Sequence, residues 1–183
     1  MTRIHWVGVC LALAGSVALA QSGAQPATGA QPAAGASAKA QLKDAKGQDV
    51  GEVTLRETKE GVLLQVQLRN VEPGVKAFHV HDVGRCEAPA FQSAGPHFNP
   101  GKHQHGLMAS GGAHAGDMPN VHVPESRMLS VEVLAPGVTL SSGAQSLLDA
   151  NGSAVVLHAK ADDYATDPSG NAGDRVACGV VTK

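Results

Sequence analysis

Aromatic residues are scarce in this chain: three Phe, one Tyr and one Trp among 183. A core built on ring packing is thereby excluded, and Val, Leu and Ala must supply it. Positive charge is not in excess either. Fourteen Lys and Arg stand against sixteen Asp and Glu, which removes the electrostatic footprint of a nucleic-acid-binding protein. No segment sustains a helical apolar period, so helices do not make the architecture. Cysteine is limited to Cys10, Cys86 and Cys178. Cys10 sits inside an apolar run rather than after it, which speaks against a lipoprotein anchor.

That run, "IHWVGVCLALAGSVALA", follows Arg3 and ends in Ala18-Leu19-Ala20, an A-x-A cleavage pattern before Gln21. It falls short of the roughly 20 apolar residues of a spanning helix. Residues 1–20 are therefore expected to be a removed signal peptide, with no membrane span in the mature form. Two cysteines then remain, Cys86 and Cys178, and in an oxidising compartment they are expected to pair. Such a ring of about 90 residues is credited with up to about 4.5 kcal/mol by the chain-entropy model. Residues 21–38, "QSGAQPATGAQPAAGASA", lack charge and apolar period and read as a disordered spacer. The folded domain is expected over residues 39–183.

What is present is alternation. "GVLLQVQLRN" puts Leu64, Val66 and Leu68 on one side and Gln65, Gln67 and Arg69 on the other. "VGEVTLRE" does the same with Val53 and Leu55, and "RMLSVEVL" with Leu129, Val131 and Val133. Asn151-Gly152 is a hairpin-turn signal before "SAVVLHAK". About eight short antiparallel strands are expected, in an all-β sandwich or barrel. Two long loops interrupt them, residues 84–126 and 162–174, and loops of that length usually carry function.

Nine histidines are many for this length. His79 and His81, two apart on a strand, leave the same face, and paired imidazoles suit copper or zinc. Alone, such a pair is a weak signal and more often marks surface or hydrogen-bonded histidines. His97, His105 and His114 lie in "HFNPGKHQHGLMASGGAHAGD", with Asp117 three residues after the last. Three nitrogens and a carboxylate can close a tetrahedral zinc site, and a bound ion can order a Gly-rich loop that has no core. A solvated loop that scavenges metal loosely is the alternative. His158 ends a separate strand, sharing a face with Val156, and has no meaning by itself.

Together, "GVKAFHVHDVG", "SAGPHFNPGKHQHG", "HAGDMPN", "VVLHAKADD" and "GNAGDRVACGVV" occur in an order that resembles the copper–zinc superoxide dismutases, from about Leu42 to Val181. The resemblance implies an eight-stranded antiparallel Greek-key barrel or immunoglobulin-like sandwich. It implies one copper ion, on His79, His81, His97 and His158, and one zinc ion, on His97, His105, His114 and Asp117. The His97 imidazole would bridge the two. His103 is the near decoy, set aside because the eight-residue step and the following Gly106 favour His105. Asp162 would link a copper histidine to a zinc histidine, Cys86–Cys178 would be the intrasubunit disulfide, and Arg175 would guide the anion.

The implied reaction converts superoxide to dioxygen and hydrogen peroxide, with a redox-cycling copper, an inert zinc and His97 carrying a proton. A homodimer is compatible with the resemblance. Two departures stand out. The loop from Asp162 to Arg175 is shorter than in eukaryotic members and contains no Lys, so Lys102 and Lys160 are candidate substitutes for steering the anion. "EAPAFQSAGP" between Cys86 and His97 is longer and resembles bacterial members, which with the leader suggests the periplasm or cell envelope. A Gram-positive exported protein is the alternative. The rival functions are a non-catalytic dismutase-like copper- or zinc-binding module and a structural adhesion sandwich. All four copper positions and Arg175 favour the enzyme.

Overall fold

Strand alternation places the core. In β1 (Ser37–Asp44) Ala38, Ala40 and Leu42 are buried between exposed neighbours. β2 (Asp49–Thr58) buries Val53 and Leu55, and β3 (Gly61–Arg69) buries Val62, Leu64, Val66 and Leu68. Antiparallel register lines these sets up: Ala40 faces Val53, Val53 faces Val66, and Val66 faces Val131 of β7 (Met128–Ala135). The next row runs Ala38, Leu55, Leu64, Val133. A slip of one residue would turn every one of these side chains to water.

The structure, a computed structural model, describes residues 1–2 and 35–183. The signal-peptide reading and most of the spacer therefore lie outside the described residues. The remaining strands are β4 (Gly74–Lys76), β5 (Phe78–His81), β6 (Val121–Val123), β8 (Ala154–His158) and β9 (Arg175–Thr182). Seven strands form one sheet in the order β5-β8-β9-β1-β2-β3-β7, every pair antiparallel, and β4 pairs with β6. The all-β expectation holds, as a seven-stranded sheet curled about the main core with a two-stranded sheet besides. The described residues contain nine strands rather than eight. β4 and β6 have three residues each, too few to show alternation. β1 opens at Ser37, so the last two residues assigned to the spacer belong to the sheet.

β5 and β8 are buried on both faces. Phe78, Val80, Val155 and Leu157 join the main core. The other face carries His79, His81, Val156 and His158, covered by the long connections, and Cys178 of β9 lies opposite Val156. Residues 84–120 contain only a short 3-10 turn at Gln92–Ala94, and residues 162–174 contain no regular element. The expected disulfide is formed between Cys86 and Cys178, with a Cα–Cα separation of 5.6 Å. It fastens the first long connection to that histidine-bearing face.

Candidate metal centre

β5 is a sheet edge, and its backbone recruits the loop. Phe98 N–H donates to Val80 O, Val80 N–H donates to Gly116 O, and Gly116 N–H donates to Phe98 O, each at 2.9 Å. His97 and Asp117 flank these contacts, opposite His81 and His79. Gly116 is required here because a Cβ would lie 2.2 Å from the Val80 carbonyl oxygen. Thus two imidazoles come from β5, one from the end of β8, and the rest arrive on a loop zipped to the edge.

Two clusters of four result, with one ligand atom per residue and all such atoms within 4.8 Å of one another: His79, His81, His97 and His158; and His97, His105, His114 and Asp117; a third group of three, His79, His105 and Asp162, meets the same spacing. Only His97 belongs to both clusters of four. In the second cluster Asp117 Oδ1 lies 2.7 Å from His97 Nδ1, 3.0 Å from His105 Nδ1 and 3.2 Å from His114 Nδ1. Ligands about 2.0–2.1 Å from one zinc ion in a tetrahedron stand about 3.3 Å apart, close to this spacing.

The outer nitrogens are spoken for. His79 Nε2 is 2.8 Å from Asp162 Oδ2, and His105 Nε2 is 3.0 Å from Asp162 Oδ1. His81 Nδ1 is 2.9 Å from Gly95 O, and His158 Nδ1 is 3.3 Å from Gly173 O. Such contacts to carboxylate or carbonyl fix each tautomer and turn the other nitrogen inward as a lone pair. The inward nitrogens, His79 Nδ1, His81 Nε2, His97 Nε2, His158 Nε2 and His105 Nδ1, are buried with no hydrogen-bond partner. Five orphaned acceptors aimed at two points would be costly without a cation. The donor sets fit the two ions: four imidazoles for copper, and three imidazoles with a carboxylate for zinc.

Electrostatics agree. Burial, the largest cause, pushes the pKa of His97 down to about 4, of His158 to about 3 and of His81 to about 2. Burial raises the pKa of Asp117, but hydrogen bonds from His97 and the Gly106 N–H outweigh it and hold the carboxyl well below its ordinary range. Asp162 behaves likewise through His79 and His105. The rings of His81, His97 and His158 are therefore neutral beside two buried anions, and among the described ion pairs neither anion meets Lys or Arg. Metal binding needs this protonation state.

Arg175 lies directly across the β8–β9 ladder from His158. Its Nη1 donates to Phe91 O and its Nη2 to Gly95 O, each at 2.7 Å. A basin of about 820 Å³ opens above, with His81, His97, His158 and Arg175 among its lining. Asp82, Asp167 and Asp174 also line it, while Lys102 and Lys160 do not. The rim of the basin is acidic, and Arg175 is the one Lys or Arg among its lining residues.

Comparison with known proteins matches the family model for copper/zinc superoxide dismutase over residues 50–181. The chain belongs to the copper/zinc superoxide dismutase family. It is 46% identical over 144 residues to copper–zinc superoxide dismutase 1 of Aquifex aeolicus, covering 78% of this chain and 85% of that one. It is 42% identical over 148 residues to the copper–zinc superoxide dismutase of Caulobacter vibrioides, covering 79% and 85%. The crystal structure of a superoxide dismutase-like protein from Bacillus subtilis superposes with a TM-score of 0.75 at 37% identity, over 78% of this chain and 96% of that one.

Every sequence-predicted ligand of this dismutase family member lies in the centre, and His103 stays outside it, exposed, with Nδ1 2.9 Å from Gly111 O. Sequence reasoning missed the residues that hold Asp162. Asn120 exchanges two hydrogen bonds with the Asp162 backbone, at 2.8 and 2.9 Å. Tyr164 Oη accepts the Asn120 N–H at 2.7 Å, and Tyr164 O accepts the Met108 N–H at 3.0 Å, locking the two long loops together. A Cβ on Gly170 would lie 1.8 Å from Asp162 Oδ1. The quoted "HAGDMPN" and "GNAGDRVACGVV" contained Asn120 and Gly170, but only their place in the motif marked them.

Proposed function

We propose that the protein disproportionates superoxide: two superoxide anions and two protons give one dioxygen and one hydrogen peroxide. One observation carries the reading. The His97 ring presents Nε2 to one cluster and Nδ1 to the other, so a single imidazole joins a redox site to a structural one. When bound, copper supplies a one-electron couple and zinc a fixed positive charge that orders the loop.

The chain does the rest. His81, His97 and His158 form the floor of an open basin, so a small anion reaches them from water. Arg175 stands beside that floor with its charge uncancelled by a carboxylate, and its remaining N–H groups suit a small oxyanion. His97 lines that floor and its Nδ1 is held against Asp117, so its Nε2 can take and return a proton without the ring losing its place. The tautomers of His79, His81 and His158 are set from behind, so their rings do not reorient during the cycle.

Purified protein loaded with copper and zinc should consume superoxide catalytically, and His97→Ala should bind copper but lose most of that activity. Loaded protein that holds both metals in the expected ratio and leaves superoxide untouched would instead make it a metal-binding module. Export to the cell envelope, and protection of that compartment, fit the leader-like segment and the disulfide. Fractionation of cells carrying the full chain tests this: recovery in the cytosol with the leader intact would refute it.

A further inference from the structure

We propose that Phe91 is the positioning residue for Arg175: its buried ring fixes the backbone carbonyl that holds one edge of the guanidinium at the basin. The proposal rests on the reading of that basin as a small-anion site. Phe91 lies in "EAPAFQSAGP", the segment between Cys86 and His97.

Its ring is only 2% exposed and belongs to a small apolar cluster with Ala94, Ala154, Val156 and Cys178, separate from the main core. Its backbone is left-handed, φ 53 and ψ 25. A turn that needed only this conformation would take Gly or Asn, because a Cβ makes it unfavourable. A phenylalanine here means that side-chain packing holds a strained backbone in place.

That conformation sends the Phe91 carbonyl to two donors, Arg175 Nη1 at 2.7 Å and the Ala94 N–H at 3.1 Å. Gly95 O, four residues on, takes Nη2 at 2.7 Å. Two acceptors on two nitrogens fix the plane of a guanidinium, where one would leave it free to swing. Both acceptors are neutral, so the charge stays available to an anion. Val156 of the same cluster alternates on β8 with Val155 and Leu157 and so shares a face with His158. Arg175 is thus registered against the strand that carries His158.

The test uses the full chain loaded with copper and zinc, with azide as the anion probe in optical titration and superoxide consumption as the second readout. Phe91→Ala should retain both metals and the disulfide while weakening azide binding and the superoxide rate about five- to ten-fold, and Phe91→Leu about two-fold. On an Arg175→Ala background neither substitution should lower either readout further, because the group they position is gone. If Phe91→Ala does not fold, Phe91→Leu with and without Arg175→Ala carries the same comparison. Unchanged azide affinity in the Phe91 variants, or a loss that persists in full without Arg175, overturns the proposal. Wild-type protein that binds azide normally but turns over no superoxide would refute the proposed reaction and leave the assignment of Phe91 standing.

Discussion

His81 and Arg175 share one acceptor. The carbonyl of Gly95 lies 2.9 Å from His81 Nδ1 and 2.7 Å from Arg175 Nη2. One backbone oxygen therefore fixes the tautomer of a clustered imidazole and the position of the Arg175 guanidinium at the basin. Removing the guanidinium should leave copper in place and weaken only the anion's reception. Arg175→Ala should lower the superoxide rate about ten-fold or more at unchanged metal content; stopped-flow decay of superoxide with metal analysis checks both. An undiminished rate would remove Arg175 from the reaction.

Asp162 couples the clusters more directly, accepting from His79 with one oxygen and from His105 with the other. Asp162→Ala should weaken binding of both metals about 10- to 100-fold, the usual effect of losing an outer carboxylate. Gly170→Ala should do the same without touching a ligand, because its Cβ collides with that carboxylate. Chelator competition for each metal measures it. Loss of one metal with full retention of the other would break the coupling claim.

The buried imidazoles give the metal-free protein a definite pH profile. An unfolded histidine protonates near 6.5, but His97 and His158 in the fold resist protonation down to about 4 and about 3. Below pH 6.5 the unfolded chain thus binds more protons than the folded one, and stability falls as pH falls. The stabilisation from Asp117 and Asp162 is present above 3.8, the ordinary value for Asp, and is lost below it. The melting temperature of metal-free protein should be level above pH 7 and decline from pH 6.5 to 4. A level curve down to pH 4 would contradict the burial of these rings.

Charge at the rim should oppose an anionic substrate. Asp174 lines the basin and is exposed, whereas Asp167 also serves the fold by accepting the His105 N–H at 2.7 Å. Asp174→Asn should raise the superoxide rate about two- to three-fold at low ionic strength, with the gain shrinking as salt screens it. Lys102→Gln should change the rate less. Rates against salt concentration for the three proteins decide it; a slower Asp174→Asn would reverse the sign of the argument.

The Cys86–Cys178 bond anchors the segment that carries both carbonyl acceptors of Arg175. Replacing both cysteines by Ser should cost about 2–4 kcal/mol of stability. It should also lower azide affinity, which a purely global effect well below the melting temperature would not. Denaturant titration and azide titration on the same protein separate the two.

The ligands were legible because they sit in motifs. His79 and His81 were readable from strand alternation alone, since β5 keeps them on one face. His97, His105, His114 and Asp117 were readable as a donor set, but their convergence required a backbone zipper on β5 that no pattern announces. The long strands β1, β2, β3 and β7 follow their apolar period, whereas β4 and β6 are too short to have one. Phe91 and Tyr164 were illegible for another reason: both act through main-chain atoms or a single phenol, in left-handed conformations at φ 53 and φ 63 that sequence does not advertise.

Tyr164 is also the sole tyrosine, and the sole tryptophan is Trp6 in the leader-like segment. Across residues 35–183 one phenol therefore supplies nearly all intrinsic ultraviolet emission, and it stands at the seam where the two long loops meet. In the chain cleaved before Gln21, its brightness and lifetime should register the parting of that seam as ions leave, a label-free optical gauge of loop closure.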